Sequence, residues 1–121
     1  MLFIASALMI MLAVGHSFLG ERFILAPLSR QPELPVLGSA EFPLTTLRFA
    51  WHVTSVLALG IAIVLLLFAF GAGIAIAVAA SGWSLIAASV LPLVFSRGRH
   101  PSWLVLSSAG VLCLIWAASA A

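Results

Sequence analysis

Four long apolar stretches, separated by short polar breaks, make up most of the chain. A helix needs about 20 mostly apolar residues to cross a membrane. The pattern therefore predicts spanning helices at about 1–20, 45–70, 72–95 and 101–120. We expect an all-α membrane protein in which residues 1–121 form a single integral membrane domain, with the four transmembrane helices in an antiparallel bundle.

Two boundaries in this map have alternatives. Residues 1–20 resemble the apolar part of a signal peptide, but no positively charged segment precedes them. Residues 53–95 contain no charged side chain, so hydropathy alone does not divide them. We place the turn at residues 71–73, where two glycines allow it, because the two flanking spans then have similar lengths. A turn at residues 81–82 would leave one helix too long and the next too short.

The segment 27–44 is the one long break in the pattern, and its four prolines are incompatible with a continuous helix. Several apolar side chains remain in it, so we expect it to lie along the membrane surface. Thr45 or Thr46 would cap the second helix. Pro101 suits the first turn of the fourth helix, and Pro92 predicts a kink in the third.

The composition indicates that most apolar side chains of this protein are covered by lipid rather than buried in a core. Hydrophobic residues make up 64% of the chain and charged residues 7%, against about 45–50% and about 25% in ordinary globular proteins. A chain of 121 residues has too small a core to bury so much apolar surface. We therefore expect membrane lipid, including anionic headgroups, as a partner, and a homo-oligomer or larger membrane complex as the assembly.

The chain has no lysine and no basic run, which excludes the charge pattern of a nucleic-acid binder.

The arginines predict the orientation. In a four-span chain, the first and third loops lie on the same side of the membrane, and all five arginines lie in or beside these two loops, at Arg22, Arg30, Arg48, Arg97 and Arg99. The positive-inside rule then makes loops 21–44 and 96–100 cytoplasmic and puts both termini outside. The sequence predicts a multi-pass protein of the cell membrane, and we take this to be an inner membrane.

The polar side chains are concentrated near these cytoplasmic ends. We expect the first helix to continue beyond its first 20 residues and to end at Pro27. His16 is then about 7–8 Å deeper in the membrane than Glu21, and His52 is about 6 Å deeper than Arg48 on a helix of opposite direction. The spacing predicts that His16 faces His52 and that Glu21 faces Arg48.

One face of the second helix carries several of these polar groups. Arg48, His52 and Ser55 share it at helical spacing. Ala58 and Ala62 continue the same face with small side chains, which let helices approach closely in lipid. We interpret this stripe as the face packed against the rest of the bundle. His100, at the start of the fourth helix, completes the candidate cluster.

The two histidines have three interpretations. His16 and His52 could ligate a metal or a haem, because neutral imidazole is a common metal ligand, or they could handle protons. Zinc would need further ligands, for which His100 and Glu21 are the candidates. The structural alternative is that each histidine hydrogen-bonds a serine, a backbone carbonyl or the other histidine and so ties helices together.

The charged residues also have alternative roles. Glu21 and Arg48 form either a catalytic or gating pair or a structural salt bridge at the interface. Arg97 and Arg99 precede a helix N-terminus, where anions bind favourably, so they are candidate ligands for a phosphate or a lipid headgroup. Arg22 is a further candidate for such contacts. The alternative for all three is that they only determine topology.

These observations leave three classes of function open. The first is a non-enzymatic accessory protein or small oligomeric transport component with its His/Glu/Arg cluster at the cytoplasmic helix ends. The second is a histidine-ligated metal- or haem-binding membrane protein. The third is a small membrane enzyme that acts on a phospholipid headgroup. The sequence contains no HExxH, CxxC, P-loop or GxSxG motif, so it does not decide whether the protein is an enzyme.

Overall fold

The computed structural model describes residues 1–31 and 41–120, and only the backbone of residues 41–42. In these residues all regular secondary structure is helical. The four long helices are α1, Leu2–Leu28; α2, Glu41–Ala69; α3, Ile74–Phe95; and α4, Ser102–Ser119. Each contains a stretch that is long and apolar enough to cross a membrane. The predicted all-α class is confirmed for the described residues, as is the predicted number of helices long and apolar enough to cross a membrane.

Helix α1 extends well beyond its first 20 residues, but it does not end at Pro27. Glu21–Leu25 form a π-helical turn, and Ala26–Leu28 complete the helix with an ordinary turn. A proline ring inside an α-helix clashes with the carbonyl four residues earlier, and the wider π turn just before Pro27 changes that spacing. The predicted continuation of the helix through residues 21–26 is confirmed, whereas the prediction that Pro27 ends it is wrong, so the loop begins only after Leu28.

Helix α2 also begins earlier than predicted. It starts at Glu41, so Pro43 lies in its first turn and neither Thr45 nor Thr46 is the capping residue. The first N–H groups of a helix have no partner within the helix, so a proline is tolerated there. The segment 27–44 is thus helical at both ends. We predicted that this segment lies along the membrane surface. Its middle part, residues 32–40, lies outside the described residues, so the prediction stays a prediction.

The two short connections contain residues with left-handed backbone conformations. Gly71, with φ of 78°, lies between α2 and α3, which confirms the turn at residues 71–73. Between α3 and α4, Arg97 has φ of 52° and Gly98 has φ of 76°. Helix α4 starts at Ser102, so the proline before it lies just outside the helix.

Extensive contacts join consecutive helices within the described part of the chain: α1 with α2, α2 with α3, and α3 with α4. Glycines allow these close approaches. A Cβ added to Gly60 would lie 2.6 Å from the side chain of Ser84, and one added to Gly110 would lie 2.7 Å from the carbonyl oxygen of Gly82. Pro92 lies inside α3, as predicted, and is fully buried.

The interior of the structure is made mostly of small side chains, with Leu25 and Phe49 as large exceptions, whereas many large apolar side chains lie on its surface. Ala13, Ala62 and Ala88 are at most 1% exposed, whereas Met11 and Val105 are each 68% exposed. Soluble monomers rarely expose apolar surface so extensively. The distribution matches helices that pack on each other through small residues and face an apolar environment outside.

Candidate functional site

An ion pair joins the polar ends of α1 and α2. Arg48 donates from Nε to Oε2 of Glu21 at 3.1 Å and from Nη2 to Oε1. The guanidinium therefore contacts both carboxylate oxygens, which is the geometry of a strong charge-assisted pair. The side chains remain 33% exposed for Glu21 and 40% exposed for Arg48. This is the contact that the helix spacing predicts.

His52 connects the same carboxylate to a serine on α1. Its Nε2 lies 3.3 Å from Oε2 of Glu21, and its Nδ1 lies 2.6 Å from Oγ of Ser17. We call Ser17, Glu21, Arg48 and His52 the Glu21 network. Ser17 and Glu21 are four residues apart on α1, and Arg48 and His52 are four residues apart on α2, so two stacked pairs face each other.

Chemistry fixes the direction of these hydrogen bonds when His52 is neutral. An ionised carboxylate only accepts, so Nε2 of His52 must carry the proton that it shares with Glu21. A neutral imidazole has one N–H group, so Nδ1 is then an acceptor. The Ser17 hydroxyl therefore donates to Nδ1.

A second set of contacts forms around His16, on a neighbouring face of α1. Its Nδ1 lies 3.0 Å from Oγ of Ser55, and its ring stacks on Trp51 with 4.5 Å between centroids. The Trp51 indole donates to the backbone carbonyl of His16 at 2.8 Å and lies over Gly20, where any Cβ would overlap it. We call His16, Trp51 and Ser55 the His16 contact.

The predicted pairing of His16 with His52 is wrong. Among the described side chains, a serine of the opposite helix is hydrogen-bonded to Nδ1 of each imidazole, and Nδ1 of His16 also lies 3.4 Å from the hydroxyl of Thr54. These contacts agree with the structural alternative for the two histidines. Adjacent residues on a helix point about 100° apart. It is Ser17 that shares the face of Glu21, and His16 turns instead toward Trp51.

An open groove borders the Glu21 network. Its volume is about 610 Å³, within the range of small-molecule sites. Ser17, Glu21, His52 and Ser55 contribute its polar groups. The apolar lining comes from three helices: Ala13, Val14 and Phe18 of α1, Val56 and Leu59 of α2, and Leu91 of α3.

His100 does not join the network. Its Nδ1 lies 2.8 Å from Oγ of Ser102, and its ring meets the edge of Phe49 at 5.1 Å between centroids. Its backbone N–H donates to Oγ of Ser96. Within the described residues these contacts hold the loop before α4 against α2, so His100 lies next to the polar end of the structure but outside the predicted cluster.

The three arginines predicted to bind anions lie on the surface. Arg22, Arg97 and Arg99 are all exposed. Arg22 lies with its guanidinium carbon 5.7 Å from the ring centroid of its neighbour Phe23. Their role in binding lipid headgroups stays a prediction.

The donor groups do not favour a metal site. Within residues 1–31 and 41–120, no group of three or more His, Cys, Asp or Glu side chains is placed to hold a metal ion. His16 and His52 are each engaged with a serine instead. Metal or haem binding through this pair stays a prediction without geometric support.

Sequence reasoning missed two residues of the site. Ser17 is not among the predicted site residues, although it precedes Glu21 by four residues and therefore shares its helix face. The sequence predicts no contact for Trp51, although its indole packs on His16 and over Gly20. Gly20 lies directly before the π turn, and a glycine at this position is the signal that a large side chain packs there.

No protein-family model matches the chain, and neither a curated protein nor a solved structure is significantly similar to it.

Proposed function

We propose that the chain is a small multi-pass protein of an inner membrane, with four transmembrane helices in an antiparallel bundle. Four apolar helices support the insertion. The contacts between α1 and α2 run in opposite order along the two helices, from Phe3 with Phe70 to Glu21 with Arg48. The arginines at one end support a cytoplasmic position for the segments 21–44 and 96–100, with both termini outside.

Cysteine labelling tests this topology. Cys113 is replaced by alanine, and a single cysteine is introduced at exposed Ser29 or at exposed Ser119. In spheroplasts, a membrane-impermeant maleimide should label the Ser119→Cys variant at once. The Ser29→Cys variant should react only after the membrane is permeabilised. The reverse pattern contradicts the orientation.

Within that membrane, we propose a non-enzymatic accessory protein or a small oligomeric transport component. The observation that carries this function is the Glu21 network, a set of mutually paired polar groups at one end of the α1–α2 contact. Residues 53–95 contain no charged side chain, and the α1–α2 contact ends in the aromatic pair of Phe3 and Phe70. One copy therefore offers little for a polar pathway, so transport would use several copies or a partner.

The assembly in mild detergent tests this function. The full chain, purified with its native lipids, should elute as a homo-oligomer or with stoichiometric partner subunits, with the mass measured by light scattering. A strictly monomeric and unaccompanied protein would contradict it.

A second candidate function is a small membrane enzyme acting on a phospholipid. The observation that favours it is the chain of hydrogen bonds from Ser17 through His52 to Glu21 beside an apolar groove. A hydroxyl, an imidazole and a carboxylate in this order form the arrangement that activates serine nucleophiles. Release of fatty acid or headgroup from phospholipid vesicles by the wild-type protein, and not by a His52→Ala variant, tests it.

A further inference from the structure

We propose that Ser17 is a nucleophile for the acyl ester bond of a membrane lipid whose chain lies in the groove beside the Glu21 network. This inference rests on the second candidate function and names its reacting group and the bond attacked. The accessory or transport function does not depend on it.

The hydrogen bonding of Ser17 distinguishes it from most of the described serines that lie in a helix or directly after one. Seven of these donate to a carbonyl three or four residues earlier: Ser29, Ser81, Ser84, Ser89, Ser96, Ser107 and Ser119. This local bond is the usual partner of a serine hydroxyl in a helix. Ser17 instead turns to an imidazole on another helix, at 2.6 Å.

The imidazole is oriented for proton transfer. Glu21 accepts from Nε2 of His52, so the lone pair of Nδ1 faces the Ser17 hydroxyl. Arg48 holds both oxygens of Glu21 and thereby fixes the carboxylate. Ser17 is the nucleophile, His52 is the base, and Glu21 is a positioning residue that also stabilises the imidazolium.

The groove indicates the class of substrate. Ser17 and His52 lie at its polar part, and the rest of its lining is apolar. The volume of the groove, about 610 Å³, and its apolar lining suit a lipid acyl chain. An acyl ester places its carbonyl at the boundary between chain and headgroup, and the charges of Glu21 and Arg48 favour such a boundary here.

The reaction balances without a further reagent except water. The Ser17 oxygen forms a bond to the ester carbonyl carbon while its proton passes to Nδ1 of His52. The bond from that carbon to the lipid alcohol breaks, and the alcohol takes the proton from His52. Water then gives a proton to His52 and attacks the acyl group, the bond to Ser17 breaks, and Ser17 recovers the proton. The products are a fatty acid and a lysolipid.

Ser55 is a matched control within the same structure. It also hydrogen-bonds an imidazole on the opposite helix, at 3.0 Å, and it also lines the groove. The imidazole of His16, however, stacks on Trp51, and no carboxylate is bonded to it among the described residues. The mechanism therefore predicts a reactive Ser17 and an inert Ser55.

The experiment treats the full chain in phospholipid nanodiscs with a long-chain alkyl fluorophosphonate and locates the adduct by mass spectrometry. We expect one adduct, on Ser17. It should be absent in Ser17→Ala and unchanged in Ser119→Ala, whose exposed hydroxyl bonds within its own helix, and in His52→Gln its formation should slow about a hundredfold. The thermal unfolding midpoint of each variant is measured in parallel, and the comparison uses only variants that stay folded at the labelling temperature.

Three outcomes would overturn the inference: no adduct on Ser17 of the folded wild-type protein, equal labelling of Ser55, or labelling of Ser17 that His52→Gln leaves unchanged. If His52→Gln does not fold, Glu21→Gln replaces it, because Glu21 orients the imidazole. This variant should also slow the labelling of Ser17, and labelling at the wild-type rate overturns the inference. None of these results would contradict the proposed accessory or transport function, which the assembly in detergent tests separately.

Discussion

Both carboxylate oxygens of Glu21 accept hydrogen bonds from Arg48, 27 positions later in the chain. The two residues lie on different helices, so this ion pair fixes how α1 and α2 align along their length. The same carboxylate is bonded to His52, which is bonded to Ser17. The polar end of the structure is therefore one connected network.

The contact between Gly20 and Trp51 predicts a packing effect. Gly20→Ala should lower the thermal unfolding midpoint in detergent, because its Cβ would overlap the Trp51 indole. Overpacking of this kind costs about 1–3 kcal/mol. Gly15→Ala is the matched control, because no atom lies within 4 Å of its added Cβ. An unfolding midpoint for Gly20→Ala equal to that of Gly15→Ala would contradict the packing of Trp51 on α1.

Much of the fold follows from the sequence. Long apolar runs predict the spans, and the glycines at residues 71–73 divide residues 53–95 correctly because Gly71 adopts a left-handed conformation. The ends of helices were harder to predict. Pro27 and Pro43 look like helix breakers, yet one follows a π turn and the other lies in a first turn where no N–H is needed.

The site could be predicted only in part. Depth along antiparallel helices depends on residue spacing, so the pairing of Glu21 with Arg48 follows from the sequence. The rotation of α1 about its own axis does not, because it depends on how all the side chains between the helices pack. That rotation decides that Ser17 meets His52 and that His16 meets Ser55.

The buried hydroxyl of Ser6 predicts a cross-helix hydrogen bond far from the network. It is 1% exposed and donates to the Ala62 carbonyl at 2.9 Å. Ser6→Ala should therefore lower the free energy of unfolding by about 0.6–2 kcal/mol, the range for polar contacts between helices in lipid. Ser119→Ala, at an exposed serine that bonds within its own helix, should change it by less than about 0.5 kcal/mol. Equal effects would argue against the α1–α2 register.

The contact between α3 and α4 depends on two facing glycines. A Cβ on Gly82 would lie 2.9 Å from the Gly110 carbonyl oxygen, which is backbone and cannot move aside easily. Gly82→Ala should lower the unfolding midpoint by several degrees. Gly73→Ala, in open space, should not. The prediction fails if both variants unfold at the wild-type temperature.

The central claim is that Glu21 and Arg48 join α1 to α2, and a double-mutant cycle tests it most directly. The free energy of unfolding is measured by denaturant titration in mixed micelles for wild type, Glu21→Ala, Arg48→Ala and the double variant. The pair is partly exposed and partly screened, so we expect a coupling energy of about 1 kcal/mol. A matched cycle of Glu21→Ala with Arg22→Ala, whose side chain is exposed, should give less than about 0.5 kcal/mol. A Glu21–Arg48 coupling no larger than that of the Arg22 cycle would contradict the claim.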